Sequence, residues 1–127
     1  MSIYCGTDII EISRIQKSIE RSGDKFLKLV YTPNEIKYCE SKKAIKYVHY
    51  AGRFAAKEAI YKAVSGLLDD RFGISWQNAE VLNDENGNPS VKFIDIKLPQ
   101  IKSIDISISH CKEYATAMVV ITTKEER

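Results

Sequence analysis

In the stretch GRFAAKEAIYKA, Gly52 to Ala63, an acid and a base stand four residues apart among alanines: Glu58 and Lys62. On a helix turning ~100° per residue they lie only ~40° apart around the axis, on a stripe shared with Ala51 and Ala55. Alone, such a pair is a solvated ion pair contributing about 0.3–0.5 kcal/mol and implies no chemistry. Asp8 adds a second carboxylate. It lies in IYCGTDII, where alternation puts Tyr4, Gly6, Asp8 and Ile10 on one strand face. Two carboxylates from separate elements suit a hard divalent cation, and Mg²⁺ usually needs only one or two of them besides phosphate oxygens and water. Lys62 beside them would suit a phosphate. The same residues also suit a plainer arrangement, with Asp8 capping a turn and Glu58 paired to Lys62 or Lys57 in solvent.

His110, in SISHCKEYA, falls at the end of a predicted strand, where a rigid element aims a side chain into a turn. It could contact phosphate or exchange a proton near neutral pH, or simply be satisfied by backbone groups. His49, between Tyr47 and Tyr50, receives no role. Arg14, Lys17 and Arg21 fall within ~60° of one another on a helix, opposite Ile12, Ile15 and Ile19 and continued by Lys25 and Lys28. This basic stripe would dock an acidic helix of a partner or serve only as a solvated face.

The elements that must position these groups follow from periodicity. Residues 3–10 read as a strand. Ile12, Ile15 and Ile19 place a helix over about 13–22 with Gly23 as its stop. A second helical piece spans 25–30, and TPNE opens a third, with Thr32 as N-cap, Pro33 at N1 and Glu35 closing a capping box. The longest helix is expected from about Ala44 to Val64, near Ser65-Gly66. The period then changes to two through GISWQNAEVLND, and Asn86-Gly87 signals a type I′ hairpin into SVKFI. IDISISH and YATAMVVIT are two further strands joined around His110 to Glu113. Helices first and a mostly antiparallel sheet later is an α+β pattern, the long helix covering the sheet.

At 127 residues the chain suits one domain, 1–127. Its 44% hydrophobic and 28% charged residues are those of a globular protein, and 19 Lys+Arg against 17 Asp+Glu gives no strong overall field. That balance disfavours a general nucleic-acid binder. MSIYCGTDIIEISRI lacks a basic n-region, an apolar h-region and a cleavage site, so secretion is not expected. No apolar run approaches the ~20 residues of a membrane span. Cys5, Cys39 and Cys111, odd in number and without CxxC spacing, read as reduced thiols in a cytoplasmic protein rather than a zinc site.

Together, GTDIIEISRI, TPNE, GRFAAKEAIYKA and SISHCKEYA closely resemble the holo-acyl-carrier-protein synthases, the small 4′-phosphopantetheinyl transferases, from Ile3 to about Ile121. The order and spacing of G-x-D, F-A-A-K-E-A-x-x-K-A and S-x-S-H carry the resemblance. It implies Mg²⁺-dependent transfer of phosphopantetheine from coenzyme A to a serine of apo acyl carrier protein, for fatty-acid biosynthesis, with release of adenosine 3′,5′-bisphosphate. By the same resemblance Asp8 and Glu58 would hold Mg²⁺ against the pyrophosphate, and Lys62 would contact phosphate and assist the leaving group. The base for the serine would be Glu58 or a metal-bound water. His110 and Arg53 match positions near the nucleotide, and Arg14, Arg21 and Phe54 match the surface that meets the carrier. The implied fold is a small α+β domain assembling as a homotrimer, each active site between two subunits.

The chain departs from the family pattern in two places. A Gly-Thr-Gly type segment usually follows the Lys-Ala pair, whereas here the chain reads VSGLLDDRFGIS; Gly66 survives as a coenzyme contact and Asp69-Asp70 adds negative charge. An earlier glycine of the first strand is replaced by Tyr4. Two other functions suit the same residues: transfer to a carrier of a secondary pathway, and a noncatalytic module that binds acidic helical proteins through Arg14, Lys17 and Arg21.

Overall fold

The computed structural model describes residues 1–68 and 73–125; Asp69 and Asp70 lie outside them. Strand β1 spans Ile3–Glu11 and runs directly into helix α1, Ile12–Ser22, followed by α2, Asp24–Val30, and α3, Pro33–Glu40. A 3₁₀ turn at Lys43–Ile45 leads into the long helix α4, Lys46–Ser65. After a second 3₁₀ turn at Trp76–Asn78 come β2, Ala79–Asn83, β3, Pro89–Phe93, β4, Ile101–His110, and β5, Tyr114–Thr123. All strand pairs are antiparallel, β1-β5-β4 forming one sheet and β2-β3 another, so the α+β expectation holds.

Local chemistry sets the helix ends. Gly23, at φ +52°, stops α1 and donates its N–H to the Ile19 carbonyl at 2.7 Å. At α3 the expected capping box forms: the Thr32 hydroxyl accepts from Glu35 N–H at 3.3 Å, and Glu35 Oε1 accepts from Thr32 N–H at 2.8 Å.

Three boundaries differ from the sequence reading. The long helix begins at Lys46 because residues 43–45 form the 3₁₀ turn, Lys43 taking a positive φ of 52°. Only Ala79–Asn83 of GISWQNAEVLND is strand, because Asn78 Oδ1 accepts the Ser75 N–H at 2.8 Å and holds a turn there. The β2–β3 hairpin is present, but its loop is not type I′: Gly87 alone turns left-handed, at φ +82°, while Asn86 does not. The reason is Asp84, whose Oδ1 accepts the N–H groups of both Asn86 and Asn88 at 2.9 Å and organises a five-residue loop.

Helix α4 lies across β1 and β5 and carries the core. Its Ala55, Ala59 and Ala63 are completely or almost completely buried against Val119 and Ile121 of β5. The approach to β1 is closer still: a Cβ added at Gly6 would lie 2.0 Å from the Ala59 carbonyl oxygen. Only glycine permits that contact. On the other side of α4, Ile12, Ile15 and Ile19 of α1 pack with Tyr31, Tyr50 and Ala51. The Tyr31 hydroxyl donates to the Tyr50 carbonyl at 2.8 Å.

Candidate functional site

The contact at Gly6 explains how the first constellation assembles. Gly6 and Asp8 share one face of β1, so the glycine that seats α4 on the strand brings the next residue on that face, Asp8, alongside the helix. Lys62 reaches it from α4, its Nζ donating to Asp8 Oδ1 and to the Thr7 carbonyl, each at 3.0 Å. Glu58 lies one turn earlier on α4, half-buried. Its carboxyl is held above the usual carboxylate range, first by burial and second by the Asp8 charge, with Lys62 opposing. The structure thus brings Asp8, Glu58 and Lys62 together.

The plainer arrangement is not what forms. Lys62 pairs with Asp8, and Lys57 turns into the core, its Nζ 2.6 Å from Glu35 Oε1. Two carboxylates within electrostatic reach, one of them resisting ionisation in the other's field, form a donor set suited to a hard dication. Asp8 and Glu58 could hold it, with phosphate oxygens and water completing the shell.

Beside Glu58 opens a cavity of about 310 Å³, lined mainly by Ile60, Tyr61, Ile74 and Trp76. Gly66, the C-cap of α4, has a different neighbour: a Cβ there would lie 2.9 Å from the Tyr4 ring. Tyr4, the residue in place of the family glycine, therefore packs on the retained glycine.

Arg53 and His110 belong to a second group, linked through Tyr38 and His49. Arg53 is 3% exposed, stacks its guanidinium 3.9 Å from the Tyr38 ring centroid and donates Nη2 to Asn83 Oδ1. His110 is exposed at the end of β4, 6.3 Å from His49 ring to ring. Arg14, Lys17 and Arg21 are exposed along α1, opposite its buried isoleucines. Phe54 is half-buried instead, between Phe26 at 6.5 Å and Trp76 at 5.1 Å centroid to centroid.

Sequence reasoning missed a buried polar network behind the site. Glu35, fully buried, accepts from Lys57 Nζ, from Val81 N–H at 2.8 Å and from Thr32 N–H. Thr32 Oγ1 donates to Glu80 at 2.5 Å, and Glu80 is only 4% exposed. The available signal was Lys57 itself, a charge set among Ala55, Ala56 and Ala59 on the stripe that must face the core.

This fold, with two carboxylates and a lysine where its first strand meets its long helix, defines a class: the chain belongs to the 4′-phosphopantetheinyl transferase superfamily, whose model matches residues 4–119. Within it the chain groups with the holo-[acyl-carrier-protein] synthases. The synthase of Protochlamydia amoebophila is 47% identical over 122 residues, covering 94% of this chain and 98% of the relative. That of Ruminiclostridium cellulolyticum is 44% identical over 127 residues, covering 96% and 93%. Among solved structures, the Bacillus anthracis synthase in complex with CoA (3′,5′-ADP) is 38% identical, with a TM-score of 0.76 over 95% of this chain and 96% of that one. The Helicobacter pylori synthase in complex with coenzyme A is 32% identical, with a TM-score of 0.81 over 93% and 99%. The chain is therefore an enzyme, a phosphopantetheinyl transferase.

Proposed function

We propose that this protein transfers the 4′-phosphopantetheine of coenzyme A to a serine hydroxyl of an apo acyl carrier protein, in a Mg²⁺-dependent reaction serving fatty-acid biosynthesis in the cytoplasm. One observation carries the reading: Asp8, Glu58 and Lys62 converge where β1 meets α4, with Lys62 Nζ 3.0 Å from Asp8 Oδ1. Phosphoryl transfer needs mainly positioning and neutralisation of developing charge. Asp8 and Glu58 are the residues that would hold Mg²⁺, which when bound supplies charge neutralisation at the pyrophosphate oxygens.

The remaining work falls to the chain's own groups. Lys62, half exposed, can leave Asp8 for a phosphate oxygen and stabilise the departing 3′,5′-bisphosphate. Glu58, or a water beside it, would accept the serine proton. The apolar cavity along Ile60, Ile74 and Trp76 suits the slender, uncharged pantetheine arm. Arg53, His110 and Gly66 would contact the coenzyme, and the basic α1 face with Arg14 and Arg21 would meet the acidic carrier beside Phe54.

The sheet face turned away from α4 supports a homotrimer with shared active sites. On β1 it exposes Ile3 and Ile9, each 64% accessible, with Cys5 and Thr7 between them, and on β5 it exposes Met118 at 54%. An apolar strip of this kind suits burial against neighbouring copies. The test is the intact mass of apo acyl carrier protein after incubation with enzyme and coenzyme A, with and without Mg²⁺. A Mg²⁺-dependent gain of one phosphopantetheine is the expected result, and no gain from folded enzyme across several carriers would overturn the reading.

A further inference from the structure

His49 is the centre of a cationic group to which α3, α4 and β4 all contribute. Its ring stands 5.7 Å from that of Tyr38 on α3 and 6.3 Å from that of His110 on β4, edge to face with both. The Tyr38 ring also carries the Arg53 guanidinium at 3.9 Å and the Lys42 ammonium at 4.8 Å from its centroid. Three cationic or protonatable groups, His49, Arg53 and Lys42, therefore contact one phenol, and His110 joins them through His49. No carboxylate is paired with any of them among the described residues: Glu40, the nearest in sequence, is taken by Lys46 at 3.4 Å and by the Tyr50 hydroxyl at 2.6 Å. Arg53 donates Nη2 to a neutral amide, Asn83, and its Nε is buried without a partner among the described residues. Arg53 and Lys42 thus bring positive charge here with no paired carboxylate among the described residues, an arrangement that accepts an anion.

We propose that His49, set against His110 and Tyr38, is a positioning residue beside this cationic group and couples entry of a coenzyme A phosphate to uptake of a proton. The proposal rests on the coenzyme A reading above. Without the ligand, burial first, then Arg53, Lys42 and His110, hold the His49 imidazole below the ordinary histidine range. A phosphate monoester brings a charge of about −1.5 to −2 near pH 7. Its arrival converts a field that repels a proton into one that attracts it. One proton then passes from solvent to a ring nitrogen of His49, and no other covalent bond changes. The bound state has the higher imidazole pKa, so the added affinity is complete below the free-state value and is lost as pH rises through the bound-state value.

Calorimetric titration of coenzyme A into the intact protein with Mg²⁺, in two buffers of different ionisation enthalpy, measures the proton count directly. The wild type should take up protons near neutral pH, with affinity falling by up to about tenfold per pH unit for each linked proton. His49→Phe keeps a ring against Tyr38 and removes the titrating nitrogen, and His49→Gln keeps polarity without a proton site. Both should bind coenzyme A with little proton uptake and a flattened pH profile, raising KM for coenzyme A on the acid side while kcat holds. Binding by the wild type without proton uptake, or equal uptake in both variants, would overturn the proposal alone. Absence of coenzyme A binding to folded wild type would overturn the coenzyme reading and this proposal with it.

Discussion

Lys62 Nζ lies 3.0 Å from Asp8 Oδ1 and joins residues 54 positions apart. The Lys62 side chain is 50% exposed, so the bridge adds little to stability in water. Its consequence is positional, because Lys62 occupies the acidic ground that a cation would share with Glu58. Asp8→Ala and Glu58→Ala should therefore lower transfer by more than the ~10–100-fold that loss of an outer partner of a metal site costs. Neither side chain packs in the core, so thermal unfolding should stay near that of the wild type. Undiminished transfer by either variant, followed by carrier mass, would rule out the metal assignment.

The raised carboxyl of Glu58 predicts how stability depends on pH and Mg²⁺. Its folded-state pKa exceeds the unfolded value, so its stabilising contribution is complete below the unfolded pKa and is lost as pH rises through the folded one. At neutral pH the metal-free protein should melt higher as Glu58→Gln than as wild type. Mg²⁺ should raise the wild-type melting temperature and leave the variant's unchanged. A variant that responds to Mg²⁺ as fully as wild type would place the cation elsewhere.

Those elements were legible in the sequence whose signals are local. Thr32, Pro33 and Glu35 state a helix start within four residues, and alternation around Gly6 and Asp8 states a strand face. The hairpin at Asn86-Gly87 was legible as a hairpin but not as a turn type, because the Asp84 carboxylate decides the loop from outside the dipeptide. The Glu35–Lys57 pair joins residues 22 apart, and Glu35 meets Val81 across 46. No period or spacing announces such partners. His49 was passed over for the same reason: its neighbours Tyr38 and His110 come from α3 and β4, and only the folded chain sets them against one ring.

Gly6 offers a sharp stability test. Ala at this position would set its Cβ 2.0 Å from the Ala59 carbonyl and 3.0 Å from the Ala63 nitrogen, both of them backbone that cannot swing aside. Helix α4 must then lift from β1, and the cost should exceed the ~1–3 kcal/mol of ordinary overpacking. Gly87→Ala, strained by φ +82° but with open space around it, should cost only about 1 kcal/mol. Denaturant unfolding that ranks Gly87→Ala as the worse substitution would contradict this account of the helix–strand contact.

The exposed α1 face predicts a split between the two substrates. Arg14→Glu reverses one charge in an exposed row opposite the buried isoleucines of α1. It should raise KM for carrier protein several-fold, most at low salt, because rim charges steer association. Coenzyme A affinity should be unaffected. Parallel loss of both affinities would argue that the substitution perturbs the fold rather than a docking face.

Lys57 should prove the costliest lysine to remove, although among the described residues it makes a single ion pair. Its ammonium is 1% exposed and Glu35 is 0% exposed, so each is desolvated and depends on the other. Burial pulls the Lys57 pKa down, and Glu35 is the main influence raising it. Lys57→Met fills similar space with apolar atoms but leaves Glu35 as an uncompensated buried charge near Glu80. Loss of one partner of a buried pair typically costs about 3–5 kcal/mol. Lys46→Ala, which breaks the partly exposed pair with Glu40, should cost below about 1 kcal/mol. Adding Glu35→Gln to Lys57→Met removes the stranded charge and keeps a carbonyl acceptor for Val81, so it should restore part of the loss. Equal unfolding free energies for Lys57→Met and Lys46→Ala would show that the network behind Glu58 does not hold α3, α4 and β2 together.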